Sequence, residues 1–129
     1  MPKKRFTENG WRKDPWFRSL CSALSACKSE EEIADFLRDI GTLSELQAWS
    51  ERLEVAKQLA QGISYRKVSE NTGASTTTVT RVARFLENGE GGYRRILHAY
   101  HHQRLALDEQ TPKDEGNVQS PPSALRRYL

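Results

Sequence analysis

Four cations and a row of short hydroxyls crowd into one stretch of this 129-residue chain. Between Ser64 and Leu86 stand Arg66, Lys67, Arg81 and Arg84, interleaved with Ser75, Thr76, Thr77 and Thr80 and a single acid, Glu70. Guanidinium and ammonium groups take phosphate, while guanidinium forks and hydroxyls also hydrogen-bond to base edges. The chemistry on offer is therefore non-covalent recognition of a nucleic acid. Covalent chemistry has no comparable constellation: there is no Ser-His-Asp order, no glycine-rich phosphate loop and no paired-carboxylate signature. No enzymatic activity and no cofactor are expected. His98, His101 and His102 fall at i, i+3 and i+4 of an expected helix, where His98 and His102 could clamp a metal. With no Cys or carboxylate beside them in sequence to complete a site, a solvated helix face is expected and no metal site is assigned.

The elements that must position these side chains are two short helices. Ser64 is a good N-cap, Val68 is placed to face inward, and Gly73 supplies the positive φ at which one helix can stop and another begin. Ser75 caps a longer second helix with Val79, Val82, Ala83 and Leu86 at i, i+3, i+4 and i+7. Its opposite face shows Ser75, Thr76, Thr77, Thr80, Arg81 and Arg84. Small Ser69 sits where two steeply crossing helices would leave no room for a large side chain. A DNA-binding helix-turn-helix over residues 64–88 accounts for all of this together. An ordinary corner between helices gives no reason for the threonine-rich face, since Thr is a mediocre helix former. In this unit Ser75, Thr76, Thr77, Thr80 and Arg81 are expected at base edges. Tyr65, Arg66, Lys67 and Arg84 are expected on phosphates.

Bulk composition is a weaker guide. The net charge is only +3, but residues 29–54 hold Glu30, Glu31, Glu32, Asp35, Asp39, Glu45, Glu51 and Glu54 against Arg38 and Arg52. The positive charge is thus concentrated on the reading unit, as an electrostatic footprint requires. Cys21 and Cys27 lie six apart on one expected helix, on different faces, and cannot pair with each other there. A reducing interior suits them, and the basic start PKKR leads into no apolar segment long enough to cross a bilayer. A soluble, cytoplasmic chain with no membrane partner is expected.

Residues 1–13 read as a flexible basic arm. Asp14-Pro15 opens a helix to about Lys28 with Trp16, Phe17, Leu20, Cys21 and Leu24 as its stripe. Ser29 with Glu32 opens a second, carrying Ile33, Phe36, Leu37 and Ile40 and ending at Gly41. Thr42 or Ser44 caps the longest helix, which runs to Gln61 with Leu46, Trp49, Leu53, Ala56, Leu59 and Ala60 as its main stripe, widened by Leu43 and Val55. A last helix is expected from about Tyr93 to Leu107, closing a helical domain of residues 14–107, and residues 108–129 have the composition of a disordered tail. These stripes are more than one small globule hides, so a homodimer is expected. Its two reading helices would stand about 34 Å apart, in successive major grooves.

Several segments carry a resemblance to a known family. They are DFLRDIGTLSELQAW (Asp35 to Trp49), ERLEVAKQLAQG (Glu51 to Gly62), SYRKVSENTGAS (Ser64 to Ser75), TTTVTRVARFLENG (Thr76 to Gly89) and the aromatic of GGYRRIL, Tyr93. From about Phe17 to Tyr100 the chain resembles the tryptophan-repressor superfamily, most of all its YerC/YecD branch. The resemblance implies an all-α, six-helix fold with a helix-turn-helix, an intertwined homodimer and a bacterial transcription regulator. It further implies that the hydroxyls of Ser75, Thr76, Thr77 and Thr80 read bases through ordered water. A small-molecule effector pocket is implied at Thr42, Arg52, Arg81 and Phe85. The two arginines suit a carboxylate. However, Phe85 replaces the serine that receives the ligand's amino group, and Val82 stands where the repressor has glycine. Tryptophan itself is therefore not the expected ligand.

The expectation is a sequence-specific double-stranded DNA-binding regulator, acting as a repressor. Two alternatives share its features. A replication-initiator or transposase-like module uses a similar reading unit, normally inside a larger chain, and a helical protein-interaction adapter would use the same apolar stripes without DNA specificity.

Overall fold

A computed structural model describes residues 3–98, and every regular element among them is helical. A 3-10 turn, Trp11–Lys13, precedes α1 (Pro15–Ala26), α2 (Glu30–Ile40), α3 (Leu43–Ala60), α4 (Tyr65–Thr72) and α5 (Thr76–Asn88). A sixth helix, α6, occupies residues 92–98. The expected extension of that helix to Leu107, the tail from Asp108, and His101 and His102 lie outside the described residues.

The helix starts follow local side-chain chemistry. Asp14 caps α1 by accepting the Trp16 N–H at 2.8 Å, with Pro15 at the first helical position. Ser29 accepts from Glu32 N–H at 3.1 Å, and the Glu32 carboxylate reaches back to the N–H of Lys28. At the start of α3 the choice between Thr42 and Ser44 falls to Thr42. Its hydroxyl accepts from Glu45 N–H at 3.1 Å while the Glu45 carboxylate accepts from Thr42 N–H at 3.0 Å. Hydrogen bonding to the carboxyl from the Thr42 backbone N–H, and then from the Thr42 side chain, holds Glu45 below its ordinary value.

The chain divides into two compact units, Met1–Leu46 and Gln47–Leu129. In the first, no residue of α1 or α2 is buried. Residues 3–13, expected as a bare basic arm, here make specific contacts with α1. Phe17 receives Trp11 and Phe6 edge-on, at ring separations of 5.2 and 6.1 Å. Lys4 pairs with Asp14 at 2.9 Å and lies over the Trp16 ring.

The second unit holds the core. Val55, Ala56, Leu59 and Ala60 from α3, Val68 from α4, Ala74 from the turn, Val79, Val82, Ala83 and Leu86 from α5, and Leu97 from α6 are all buried. Ile63 and Tyr93 pack against them. The C-terminal half of α3 is therefore the wall on which α4 and α5 rest. Its N-terminal half differs, since Leu43 and Trp49 of the expected stripe remain 65% and 45% exposed. Gly62, at φ 83°, ends α3 with the paired bonds of a Schellman turn, Ile63 N–H to Gln58 C=O and Gly62 N–H to Leu59 C=O.

Gly73 joins α4 to α5 in the left-handed region, at φ 77°. A Cβ built there would meet nothing within 4 Å, so only the backbone conformation demands glycine. Gly73→Ala should therefore cost about 1–2 kcal/mol of stability, the usual left-handed penalty for a Cβ-bearing residue. Gly73→Asn should cost less. Thermal unfolding of the two variants checks the order, and equal stability of Gly73→Ala and wild type would remove the constraint.

Candidate nucleic-acid interface

The turn between α4 and α5 is held by side chains of its own segment. Ser69 Oγ donates to the Ala74 carbonyl at 2.6 Å, and Thr72 Oγ1 donates to the Val68 carbonyl at 2.7 Å while accepting the Ala74 N–H at 3.2 Å. The Ser69 hydroxyl, expected only to be small, thus also ties the end of α4 to the start of α5. Across to α3, Asn71 Nδ2 donates to Gln58 Oε1 at 3.0 Å, and Gln58 Nε2 donates to Glu54. With Val68, Val79 and Leu86 fully buried, these bonds fix the roll of α5 about its axis.

That roll turns Ser75, Thr76, Thr77, Thr80, Arg81 and Arg84 outward, and all six are exposed. They are not equally available. Ser75 Oγ accepts from Thr78 N–H at 3.1 Å and lies 3.1 Å from Thr78 Oγ1, and Thr80 Oγ1 donates to the Thr76 carbonyl at 2.8 Å. A helical Thr that bonds its own i−4 carbonyl keeps acceptor capacity only. The hydroxyls of Thr76 and Thr77 and the guanidinium groups of Arg81 and Arg84 make no such bond among the described residues. Thr76, Thr77, Thr80, Arg81 and Arg84 line a shallow cavity of about 350 Å³. On α4, Tyr65, Arg66 and Lys67 are exposed, and both cations pair with Glu70. All nine residues expected to meet a nucleic acid are thus on the surface of the unit formed by α4 and α5.

A larger groove, about 900 Å³, opens behind α5. Arg52 and Leu53 of α3, Val82 and Phe85 of α5, and Tyr93 and Ile96 of α6 form most of its walls, and Thr78, Arg81 and Arg84 reach it as well. Three members of the expected effector pocket, Arg52, Arg81 and Phe85, come together here. The fourth, Thr42, belongs to the other compact unit, where its hydroxyl caps α3. Phe85 is 54% exposed and gives the groove an apolar face. Leu53, Tyr93 and Ile96 were not expected as groove walls. They join it because α6 folds back beside α3, an approach that local periodicity does not report. Among the described residues no group of three His, Cys, Asp or Glu gathers to hold a metal. No helix there is long and apolar enough to cross a membrane.

The sequence model of the family described as Trp repressor protein matches residues 16–101. YerC of Bacillus subtilis (strain 168), an uncharacterised protein, is 40% identical over 78 residues, covering 60% of this chain and 75% of its own. Two solved structures share the architecture. A TrpR-like protein from Eubacterium eligens is 37% identical, with a TM-score of 0.64 over 74% of this chain and 93% of its own. A candidate Trp repressor from Staphylococcus aureus is 32% identical, with a TM-score of 0.68 over 74% and 96%.

Burial pushes the Tyr93 phenol above its ordinary 10.0, and the positive charge of Arg52 pulls the other way. The folded state therefore holds the Tyr93 proton. The resulting stability is complete below 10.0 and is lost as pH rises through the folded value. Difference spectra against Tyr93→Phe should place this phenolate above the ordinary range, and Arg52→Gln should move it higher still. A downward move would separate Arg52 from Tyr93.

Proposed function

The chain belongs to the Trp repressor protein family, and from that membership and the exposed face of α5 we propose that it is a sequence-specific, double-stranded DNA-binding regulator of transcription. One observation carries this reading. Val79, Val82, Ala83 and Leu86 on one side of α5 are buried, while Thr76, Thr77, Arg81 and Arg84 on the other stay exposed with uncommitted donors. A helix so anchored can enter a major groove without disturbing the core. Arg81, Thr77 and Thr76 meet base edges directly, and Ser75 and Thr80 do so through water or as acceptors. Tyr65, Arg66, Lys67 and Arg84 set the register on phosphate. In this reading the protein works in the cytoplasm and represses by occluding a promoter. The groove beside Arg52 is the place for a small-molecule effector other than tryptophan.

The working form is a homodimer. Trp16, Ile33 and Ile40 are 67%, 37% and 55% exposed within one chain, and Leu43 and Trp49 add to them. So many large apolar side chains left in water favour a second copy over a lone subunit. Sedimentation equilibrium should report twice the 14.8 kDa chain mass, and a monomer at micromolar concentration would end this part of the reading.

Selection of bound duplexes from a random pool should return a palindromic site with half-sites about one helical turn apart. Against that site Arg81→Ala should cost about 1–3 kcal/mol, mostly as lost discrimination. Arg84→Ala should instead weaken all sequences alike and flatten the salt slope by about one unit. If Arg81→Ala binds selected and random duplexes like the wild type, Arg81 reads no base.

A further inference from the structure

Glu70 is the only acid between Ser64 and Leu86, and it stands on the surface proposed to meet phosphate. A carboxylate there repels the backbone of any duplex, and helix energetics do not explain its presence. It occupies the last turn of α4, where the dipole disfavours negative charge. Its partners Arg66 and Lys67 precede it, the less favourable order for an i, i+4 pair. The pairs themselves are exposed, with the Arg66 side chain 91% and that of Glu70 51% accessible, so they add little to folding.

The carboxylate is nevertheless shared between both cations of α4. Oε1 lies 3.3 Å from Arg66 Nε and Oε2 lies 3.7 Å from Lys67 Nζ. We propose that Glu70 is a selectivity residue, acting through Arg66 and Lys67 by occupying them in the free protein. A phosphate that reaches either cation competes with the carboxylate for it. On a random duplex, where no base contact fixes the register, this exchange gains little. On the preferred site the base contacts of α5 hold the backbone in place, and the exchange goes to completion. Glu70 therefore lowers affinity for random DNA more than for the preferred site and widens the ratio between them. This inference rests on the DNA-binding reading above.

The test compares wild type, Glu70→Gln and Glu87→Gln, all as full chains, on the selected duplex and on a random one across a salt series. Glu70→Gln should tighten random-duplex binding about two- to tenfold at low salt. The salt dependence should steepen on the random duplex, the gain on the selected duplex should be smaller, and the circular dichroism spectrum should be unchanged. Glu87→Gln, which neutralises an acid near the far end of α5, should change neither ratio nor slope. Equal gains on both duplexes, no gain, or the same response from Glu87→Gln would overturn the role of Glu70 while leaving the DNA-binding reading in place. A wild type that selects no sequence would overturn both.

Discussion

The packing of α5 against the C-terminal half of α3 is the constraint from which the rest of the molecule follows. Val79, Val82, Ala83 and Leu86 occupy one side of α5 and share one buried core with Val55, Ala56, Leu59 and Ala60. A helix has one rotational setting that buries such a stripe, and 3.6 residues per turn then dictate what the other side presents. Thr76, Thr77, Thr80, Arg81 and Arg84 are exposed because their neighbours in sequence are not. Removing a large buried side chain such as Leu59 or Leu86 would loosen that setting as well as cost stability, since cores of this density relax only in part. The exposed face of α5 is thus set by the core beneath it.

Two further devices make the setting specific. The left-handed Gly73 fixes the angle at which α5 leaves α4, and the Ser69 hydroxyl fastens the turn from the other side by bonding the Ala74 carbonyl. Ala74 itself is buried, so the turn enters the core and is not draped over it. Polar side chains of α4 do the remaining work at its edge, where Asn71 reaches Gln58 on α3. Backbone groups of the turn are thus satisfied by the same short side chains that leave it compact. An exposed loop of equal length would let α5 pivot, and hydroxyls on a pivoting helix cannot hold a register along a base edge.

Most of this architecture was legible in the sequence because it rests on local chemistry. Asp14, Ser29, Ser64 and Ser75 announce helix starts through the oxygen each offers to the next turn, and the spacing of Val79, Val82, Ala83 and Leu86 announces the buried face of α5. What was not legible depends on partners distant in sequence or on the fate of single protons. The aromatic contacts of Phe6 and Trp11 with Phe17 have no periodicity. The groove walls Tyr93 and Ile96 depend on where α6 returns. Nothing in a row of hydroxyls says that Ser75 and Thr80 are partly committed within their own helix whereas Thr76 and Thr77 are not. Hydropathy also failed to divide the long stripe of α3, since an apolar residue reads the same whether its own chain or another covers it. Val55 and Leu59 are buried here, yet Leu43 and Trp49 are not.

That division of α3 bears on how charge and apolar surface are arranged along the chain. Ile33, Ile40, Leu43 and Trp49, all exposed, lie in the acid-rich stretch of residues 29–54, whereas residues 64–86 carry four cations and one acid. Carboxylates repel phosphate, so on the proposed reading a duplex is turned away from residues 29–54 and drawn to residues 64–86. The same acids do not prevent apolar faces from associating, because an interface core excludes charge and leaves it at the rim. A chain with a net charge of only +3 can therefore behave as a cation toward DNA and as a mixed, apolar surface toward protein. Spreading the same charges evenly would weaken both associations. On the proposed reading, their segregation along the sequence keeps assembly and recognition from competing for one surface.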